Sequence, residues 1–328
     1  MADVAARAGV SRALVSTVFR NVPGAGPETR ERVLAAASEL GYRMDNRARM
    51  LRRSRTQLLG VVFQVQDDFH CDLVEALYPE AEAAGYHLVL GATTPDRGEL
   101  RAADALLDER CEALLLVAPQ MPASKLATLT SRSPTIVMSR RVRASEADVV
   151  RTSDHEVVAT ALDHLVGLGH VQIAHVDGAS FRSSADRRRG YRTLMRRNGL
   201  EAHTRVVTGG ATEEDGLAAA TRLLDEGKLP TAVVAFNDRT AVGLMFGLRA
   251  AGVDVPGQVS VVGYDDVSMA RLPFIDLTTV GQDARATAHH SVRRAVARID
   301  AGETAPAEIL VPPYLATRGT TGPPRNPW

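Results

Sequence analysis

The stretch Asp3-Val-Ala-Ala-Arg-Ala-Gly-Val-Ser-Arg-Ala-Leu-Val-Ser-Thr-Val18 has the spacing of two short helices crossing through a tight turn. Ala5 is small where the helices must approach, and Gly9 permits the left-handed backbone of the turn between them. Ser11 is placed to cap the second helix, Arg12 to Phe19. Val4, Val15 and Val18 can close a small core, which leaves Arg12, Ala13, Ser16 and Thr17 facing outward from the second helix. In a helix-turn-helix that second helix lies in the major groove of DNA. A glycine turn between two helices is also a common accident of structure, so spacing alone leaves both readings open.

Working outward, Pro27 suits the first position of a third helix. Val33, Ala36, Ala37 and Leu40 recur at helical spacing, and Gly41 supplies a stop. Asn46 to Arg53 is a basic stretch in which only Ala48, Met50 and Leu51 are apolar, a linker with some helical potential. Residues 1–56 carry eleven arginines against five acidic residues, a net +6; the whole chain sums to zero, so the remainder carries −6. A basic segment on an acidic body points to a polyanion-binding module, with a solvated charged face as the alternative.

The 328 residues exceed one small domain and fit roughly two of about 150 residues. An apolar fraction of 45% and a charged fraction of 24% are enough for an ordinary core. The two cysteines, Cys71 and Cys111, make neither a disulfide framework nor a metal set and fit a reducing compartment. The first residues lack the apolar region of a secretion signal, and no apolar run reaches ~18 residues. The expectation is a cytoplasmic protein without a membrane partner.

From Leu58 the texture alternates. Short apolar runs (Leu58–Val65, His87–Leu90, Ala113–Val117, Thr135–Met138, Ile173–Val176, Ala232–Phe236, Val259–Gly263) are separated by amphipathic stretches such as Leu73–Ala84, Val157–Leu168 and Thr240–Ala251. Alternating β and α units predict parallel sheets wound on both faces, and some seven strands fit two lobes better than one. The fold class expected is a small all-α helix-turn-helix head on an α/β body of two doubly wound lobes.

Asp3-Val-Ala5, Ala8-Gly-Val-Ser11, Val15-Ser16, Thr29-Arg30, Arg32-Val33, Ala36-Ala37 and Glu39-Leu-Gly-Tyr42 resemble the LacI/GalR family of bacterial repressors. So do Leu168-Gly-His170 with Ile173-Ala174, Arg187-x-x-Gly190-Tyr191, Phe236-Asn-Asp238, Ser260-Val-Val-Gly-Tyr-Asp-Asp266, and Leu277-Thr-Thr-Val280 with Gln282. Each is weak alone; their order and spacing across the chain are specific. The resemblance implies a head over 1–45, a hinge over 46–56 and an effector-binding body over 57–328. It divides the body into lobe one (about 57–152 and 282–312) and lobe two (about 153–281 and 313–328), joined by three crossovers.

The resemblance further implies that Arg12, Ala13, Ser16 and Thr17 read base edges. It makes Asn46–Arg53 a hinge helix, with Asn46 and Arg47 at DNA and Leu51 at the wedge position in the central minor groove. An eight-residue helix is too short to stand alone, so it should fold only against DNA or a partner hinge. A wedged leucine unstacks a base step and bends the duplex around more protein. The implied partners are double-stranded operator DNA, a small polar effector such as a sugar, and a second copy of the chain.

In the body, effector residues lie at the carboxyl ends of strands, as open α/β sheets require. Phe69, His70, Ser139, Arg140, Asn237 and Asp265 follow strands, Arg187 sits three before Gly190 and Gln282 lies at a crossover; the resemblance assigns polar ligand contacts to Arg187, Asn237 and Asp265. Arginine offers a planar fork of donors, aspartate accepts, and asparagine does both. Structural alternatives stand beside them. Asn237 and Asp265 could cap helices, Arg187 could belong to a solvated Arg187-Arg-Arg189 run, His70 could be a satisfied histidine, and Phe69 could be core.

The chain departs from the family pattern in places. The chain starts Met1-Ala2-Asp3, so the family's usual threonine cap and apolar residue before this helix are absent, and either helix 1 is weakened or the chain starts upstream. Leu14 and Thr17 replace a common threonine and arginine of the recognition helix, and Ser153-Asp154 stands where two acids are frequent. The decapeptide Gly319–Trp328 holds three prolines and two glycines, which excludes it as a tetramerising helix.

A periplasmic solute-binding protein would use the same body but needs a signal peptide where this chain has a basic head. An enzyme is disfavoured: no phosphate loop, no Gly-x-Ser-x-Gly and no zinc-spaced histidine pair is present, and His289-His290 are adjacent. Neither cofactor nor metal is expected. A third rival keeps the fold without effector control.

Overall fold

The computed structural model describes residues 1–19, 23–42, 55–142, 147–302 and 305–325. It divides into two compact units, Met1–Thr56 and Gln57–Trp328.

The small unit is built from α1 (Ala2–Ala8), α2 (Arg12–Phe19) and α3 (Pro27–Glu39). Val4, Val15 and Val33, one from each helix, are wholly buried, with Val18, Ala36 and Ala37 around them. Each fully buried valine contributes about 1.5–3 kcal/mol, a large share of the stability of a unit this small. Gly9 closes α1 at φ 63°, and its N–H donates to the carbonyls of Ala5 and Ala6. The Ser11 hydroxyl accepts from the Leu14 N–H at 3.2 Å, which starts α2. Met1 stands before α1 and gives it no side-chain cap. Phe19 and Tyr42 meet edge to face with centroids 5.7 Å apart, closing the open end of the core.

The large unit holds two six-stranded sheets. The first contains β1 (Leu58–Gln64), β2 (His87–Thr93), β3 (Ala113–Val117), β4 (Thr135–Met138), β5 (Asp148–Arg151) and β11 (Glu308–Leu310), in the order β11-β5-β4-β3-β1-β2. All its pairings are parallel. The second contains β6 (Ile173–Val176), β7 (Arg205–Val207), β8 (Ala232–Val234), β9 (Ser260–Asp265), β10 (Thr278–Gly281) and β12 (Tyr314–Ala316), in the order β12-β10-β9-β8-β6-β7. Only β12 runs antiparallel, against β10. Parallel strands are buried on both faces, so they read as unbroken apolar runs. All five residues of β3 are buried, for example.

Helices α4 (Asp68–Ala83), α5 (Glu99–Asp108), α6 (Ala123–Thr130) and α11 (Ala284–Asp300) belong with the first sheet. Helices α7 (Asp154–Gly167), α8 (Ser184–Arg197), α9 (Glu213–Asp225) and α10 (Asp238–Ala250) cover the second. The chain passes between the sheets after β5, after β10 and after β11. Strand order reverses beside β1 in one lobe and beside β6 in the other, so crevices open at the carboxyl ends there.

The described residues hold twelve strands where the apolar runs predict seven. The five without a matching run, β5, β7, β10, β11 and β12, are three or four residues long and carry polar side chains. β5 shows why such a strand can be central. Asp148 is wholly buried, yet it accepts from Arg294 at 3.1 Å, Arg298 at 3.0 Å and the Ala307 N–H at 2.6 Å. A buried charge is tolerated when every lone pair is met.

Candidate functional site

In the small unit, Arg12 and Ala13 are exposed at the start of α2, and Ser16 and Thr17 are half-buried one turn on. The Thr17 hydroxyl donates to the Ala13 carbonyl at 3.1 Å. The Arg12 guanidinium is therefore the freest donor fork on this face. Asn46, Arg47 and Leu51 lie outside the described residues.

In the large unit, Arg187 projects inward from α8 because Arg187, Gly190, Tyr191 and Leu194 share its buried face. Its Nε donates to Asp154 at 2.9 Å and its Nη1 to the Phe236 carbonyl at 2.6 Å. The guanidinium carbon lies 4.7 Å from the Phe236 ring centroid and 3.9 Å from that of Tyr264. Asp265 ends β9 at φ 114°, a backbone state that side-chained residues rarely hold. It accepts from Gln282 Nε2 at 2.8 Å, and Gln282 stands where the chain recrosses between the sheets. Phe69, Asp265 and Gln282 line one cavity of 770 Å³, together with Asp72, Asp266 and Tyr314.

The other expected residues divide. Asn237 caps α10: its Oδ1 accepts from the Thr240 N–H at 2.9 Å and its Nδ2 donates to the Ala211 carbonyl at 3.1 Å. His70 is a buried, satisfied histidine whose Nδ1 accepts from the Gln64 N–H at 3.1 Å; burial lowers its pKa. Phe69 packs into the core of the first lobe as well as lining the cavity. Ser139 follows β4 at φ 55°, and its buried Oγ has no hydrogen-bond partner among the described residues. Arg140 lines a separate cavity of 520 Å³, facing residues of α8.

Two arginines of lobe two donate to backbone carbonyls of lobe one: Arg239 Nη1 to Gln66 at 2.8 Å, and Arg182 Nε to Gln120 at 2.7 Å. The cleft is thereby bridged by hydrogen bonds at two points, and Val267 of lobe two packs with the apolar cluster of lobe one.

Residues 1–45 match the family model described as bacterial regulatory proteins, lacI family, and residues 162–321 match a periplasmic binding protein-like domain. The transcriptional regulator GalR of Escherichia coli K12 is 35% identical over 283 residues, 85% of this chain and 82% of its own. The chain belongs to the lacI family of bacterial regulatory proteins. A LacI transcriptional regulator from a Rhodococcus species is 45% identical, with a TM-score of 0.79 over 81% of this chain and 98% of that one. A lac repressor dimer bound to operator and the anti-inducer ONPF is 27% identical, with a TM-score of 0.82 over 98% of both chains. This is thus a DNA-binding transcription regulator, with a helix-turn-helix head and an effector-binding body of two lobes.

The electrostatics of this regulator's cleft are set by burial. Burial raises the Asp265 carboxyl well above its usual range, against the pull of the Arg187 charge. Asp238, next to Asn237, is pushed up to about 7 by burial, although the Thr279 hydroxyl and the Val267 N–H donate to it at 2.5 and 2.9 Å. A Cβ at Gly263 would sit 2.2 Å from Asp238 Oδ1, so only glycine on β9 admits this carboxyl. Asp266 accepts from Arg318 at 2.5 Å, Tyr314 at 2.9 Å and Arg271 at 3.1 Å, pinning β12 to the loop after β9.

Asp238, Asp266 and Tyr314 were not singled out from sequence. The first two sit inside quoted motifs, beside Asn237 and Asp265, so the signal was present. Tyr314 had none. Among the described residues, no group of His, Cys, Asp and Glu is arranged to hold a metal, and no helix is long and apolar enough to cross a membrane.

Proposed function

We propose that this regulator is a cytoplasmic homodimeric repressor that binds a pseudo-palindromic operator and answers to a small polar molecule held between its lobes. The working division is a head over 1–45, a hinge over 46–56 and two lobes joined by the three crossovers. Arg12, Ala13, Ser16 and Thr17 read the major groove, with Arg12 pairing to guanine. Arg187, Asp265 and Gln282 form the centre of the effector site, flanked by Phe69 and Ser139. Asn237 and His70 support it structurally, since their polar atoms are engaged within the protein.

The observation that carries the effector reading is the convergence of Arg187, Asp265 and Gln282 where the chain recrosses between the lobes. Such a site acts by binding rather than by catalysis. The similar lac repressor dimer, which is bound to both operator and an anti-inducer, supports coupling of the two ligands. That coupling is reciprocal: whatever factor the effector applies to DNA affinity, DNA applies to effector affinity.

The second copy is supported by an apolar face on lobe two. Leu217 of α9, Phe246 of α10 and Phe274 are all exposed. Operator fragments selected from random DNA, followed by anisotropy titration with a library of sugars and sugar derivatives, test the reading. A ligand that raises the melting temperature must also shift operator affinity. A ligand that binds the body and leaves operator affinity untouched would remove effector control.

A further inference from the structure

The mouth of the cleft between β4 and α8 carries an excess of positive charge. The 520 Å³ cavity there is lined by Arg140 and Arg141 from one lobe and by Arg182, Arg188 and Arg189 from the other. Its two carboxylates, Asp154 and Asp186, are already engaged: Asp154 accepts from Arg187 at 2.9 Å, and Asp186 lies 3.4 Å from Arg189. Arg188 is paired outside the cavity, with Asp177 at 2.5 Å.

Arg140 and Arg182 have no carboxylate partner among the described residues. The half-buried Arg140 guanidinium donates only to the carbonyls of Pro119 and Met121. Its charge is disfavoured by burial first and by the neighbouring Arg182 second. The Glu99 charge favours the Arg140 cation, but both Glu99 oxygens already accept from the backbone N–H groups of Gln120 and Met121, at 2.5 and 2.7 Å. Arg182 is exposed and donates to the Gln120 carbonyl. Like charges held together without a counter-ion are costly, and a half-buried cation without one costs more. Two further groups sit at the ends of the same strand pair. Ser139 Oγ precedes Arg140, and Thr152 Oγ1, in a residue 5% exposed, follows β5; both are buried and lack hydrogen-bond partners among the described residues.

We propose that this mouth binds the dianionic group of a phosphomonoester, so that the effector of this regulator is a phosphorylated small molecule. The inference rests on the effector reading above and deepens it. Arginine forks match phosphate oxygens bidentately, and they approach here from both lobes, so the anion would draw the lobes together. Asp154 joins the two parts of the site: it lines this cavity and holds Arg187. The remainder of the ligand would then extend toward Arg187 and Asp265, whose donors and acceptor suit hydroxyls.

The test is calorimetric titration of the full chain with inorganic phosphate, glucose 6-phosphate, ribose 5-phosphate and the matching neutral sugars, with operator affinity measured in parallel. The phosphomonoesters should bind, weaken with added salt, and exceed the neutral sugars by roughly tenfold or more per engaged arginine. Arg182→Gln, at an exposed position that does not threaten the fold, should lower that affinity roughly tenfold. Arg140→Gln should do the same, with Arg140→Lys recovering part of it.

Equal binding of neutral and phosphorylated sugars, no binding of phosphomonoesters at millimolar concentration, or indifference to Arg182→Gln would overturn the proposal. A neutral sugar that releases operator while phosphomonoesters do not bind overturns the anion site and leaves effector control standing. Charge-dependent phosphomonoester binding that leaves operator affinity unchanged upholds the anion site and overturns effector control instead.

Discussion

The guanidinium carbon of Arg187 lies 3.9 Å from the centroid of the Tyr264 ring. Burial raises the Tyr264 hydroxyl well above its usual pKa, so the ring stays neutral and offers its face to the cation. Asp154 holds Nε and the Phe236 carbonyl holds one Nη1 proton. The guanidinium is thus oriented before any ligand arrives, with Nη2 free of a described partner, and preorganisation of this kind lowers the cost of binding.

The first prediction follows from that geometry. Arg187→Lys keeps the charge and loses the fork, so it should weaken the effector response at least about tenfold, as Arg187→Ala does. Arg187→Ala should also destabilise the body by about 3–5 kcal/mol, because Asp154 is left without its cation. Effector titrations of labelled operator and urea melts measure the two effects. A lysine variant with native effector response would show that only charge matters here.

The second prediction concerns Asp238. Its folded pKa of about 7 lies above the unfolded value, so between about 4 and 7 the folded state binds the proton that the unfolded state has lost. Stability from this group is present at low pH and is lost as pH rises through 7, on the order of 4 kcal/mol in all. The buried histidines act oppositely: His175 is depressed to about 4 by burial, so its contribution is lost as pH falls through that value. Asp238→Asn isolates the carboxyl. The unfolding free energy of the native protein minus that of Asp238→Asn should fall from about pH 4 to about pH 7 and level off above it. A difference independent of pH would mean that Asp238 is ionised throughout.

Much of this architecture is legible in one dimension where burial is two-sided. Leu114, Leu115 and Leu116 announce β3 because every side chain of a central parallel strand needs an apolar residue. β5 is hidden because Asp148 and Arg151 are buried beside partners roughly 150 residues away, Arg298 and Glu308, and pairing over that distance leaves no local pattern. Arg187 stands at the head of an arginine run that could be solvated, yet the spacing to Gly190, Tyr191 and Leu194 already carries it to the inner face of α8. Asn237 illustrates the reverse: its place after a strand fits a ligand group and a helix cap equally, and only coordinates reveal that both ends of its amide are occupied. The meeting of Arg140 with Arg182 depends on how the two lobes close, which no spacing along the chain encodes.

The third prediction concerns Arg12. It is exposed at the first position of α2, and no hydrogen bond or ion pair ties its guanidinium to the described residues. Arg12→Ala should cost about 1–3 kcal/mol at one base pair in each half-site and leave binding to random DNA nearly as before. Competition with single-base operator variants checks this. Equal losses on operator and random DNA would reduce Arg12 to a phosphate contact.

The fourth prediction concerns the second copy. Phe246 is 53% exposed and Phe274 68% exposed, and Leu217, at 50%, lies beside Gly247 with its Cδ1 3.1 Å from where a Cβ would be. The three belong to α9, α10 and the loop before β10. Arg249 of α10 reaches the Phe274 carbonyl at 3.5 Å, which keeps that loop against the helix. Exposed aromatics gathered on one face are costly in water and mark a contact surface. Two heads linked through such a face gain operator affinity as one unit, commonly about 10²–10⁴-fold over a single head. Phe246→Glu should therefore give a folded monomer by light scattering, with operator affinity lowered by about 10²-fold or more and effector binding by the isolated body retained. If the variant stays dimeric, the contact lies elsewhere on the body. If the native protein is monomeric both free and on operator, the paired-head mechanism itself is wrong.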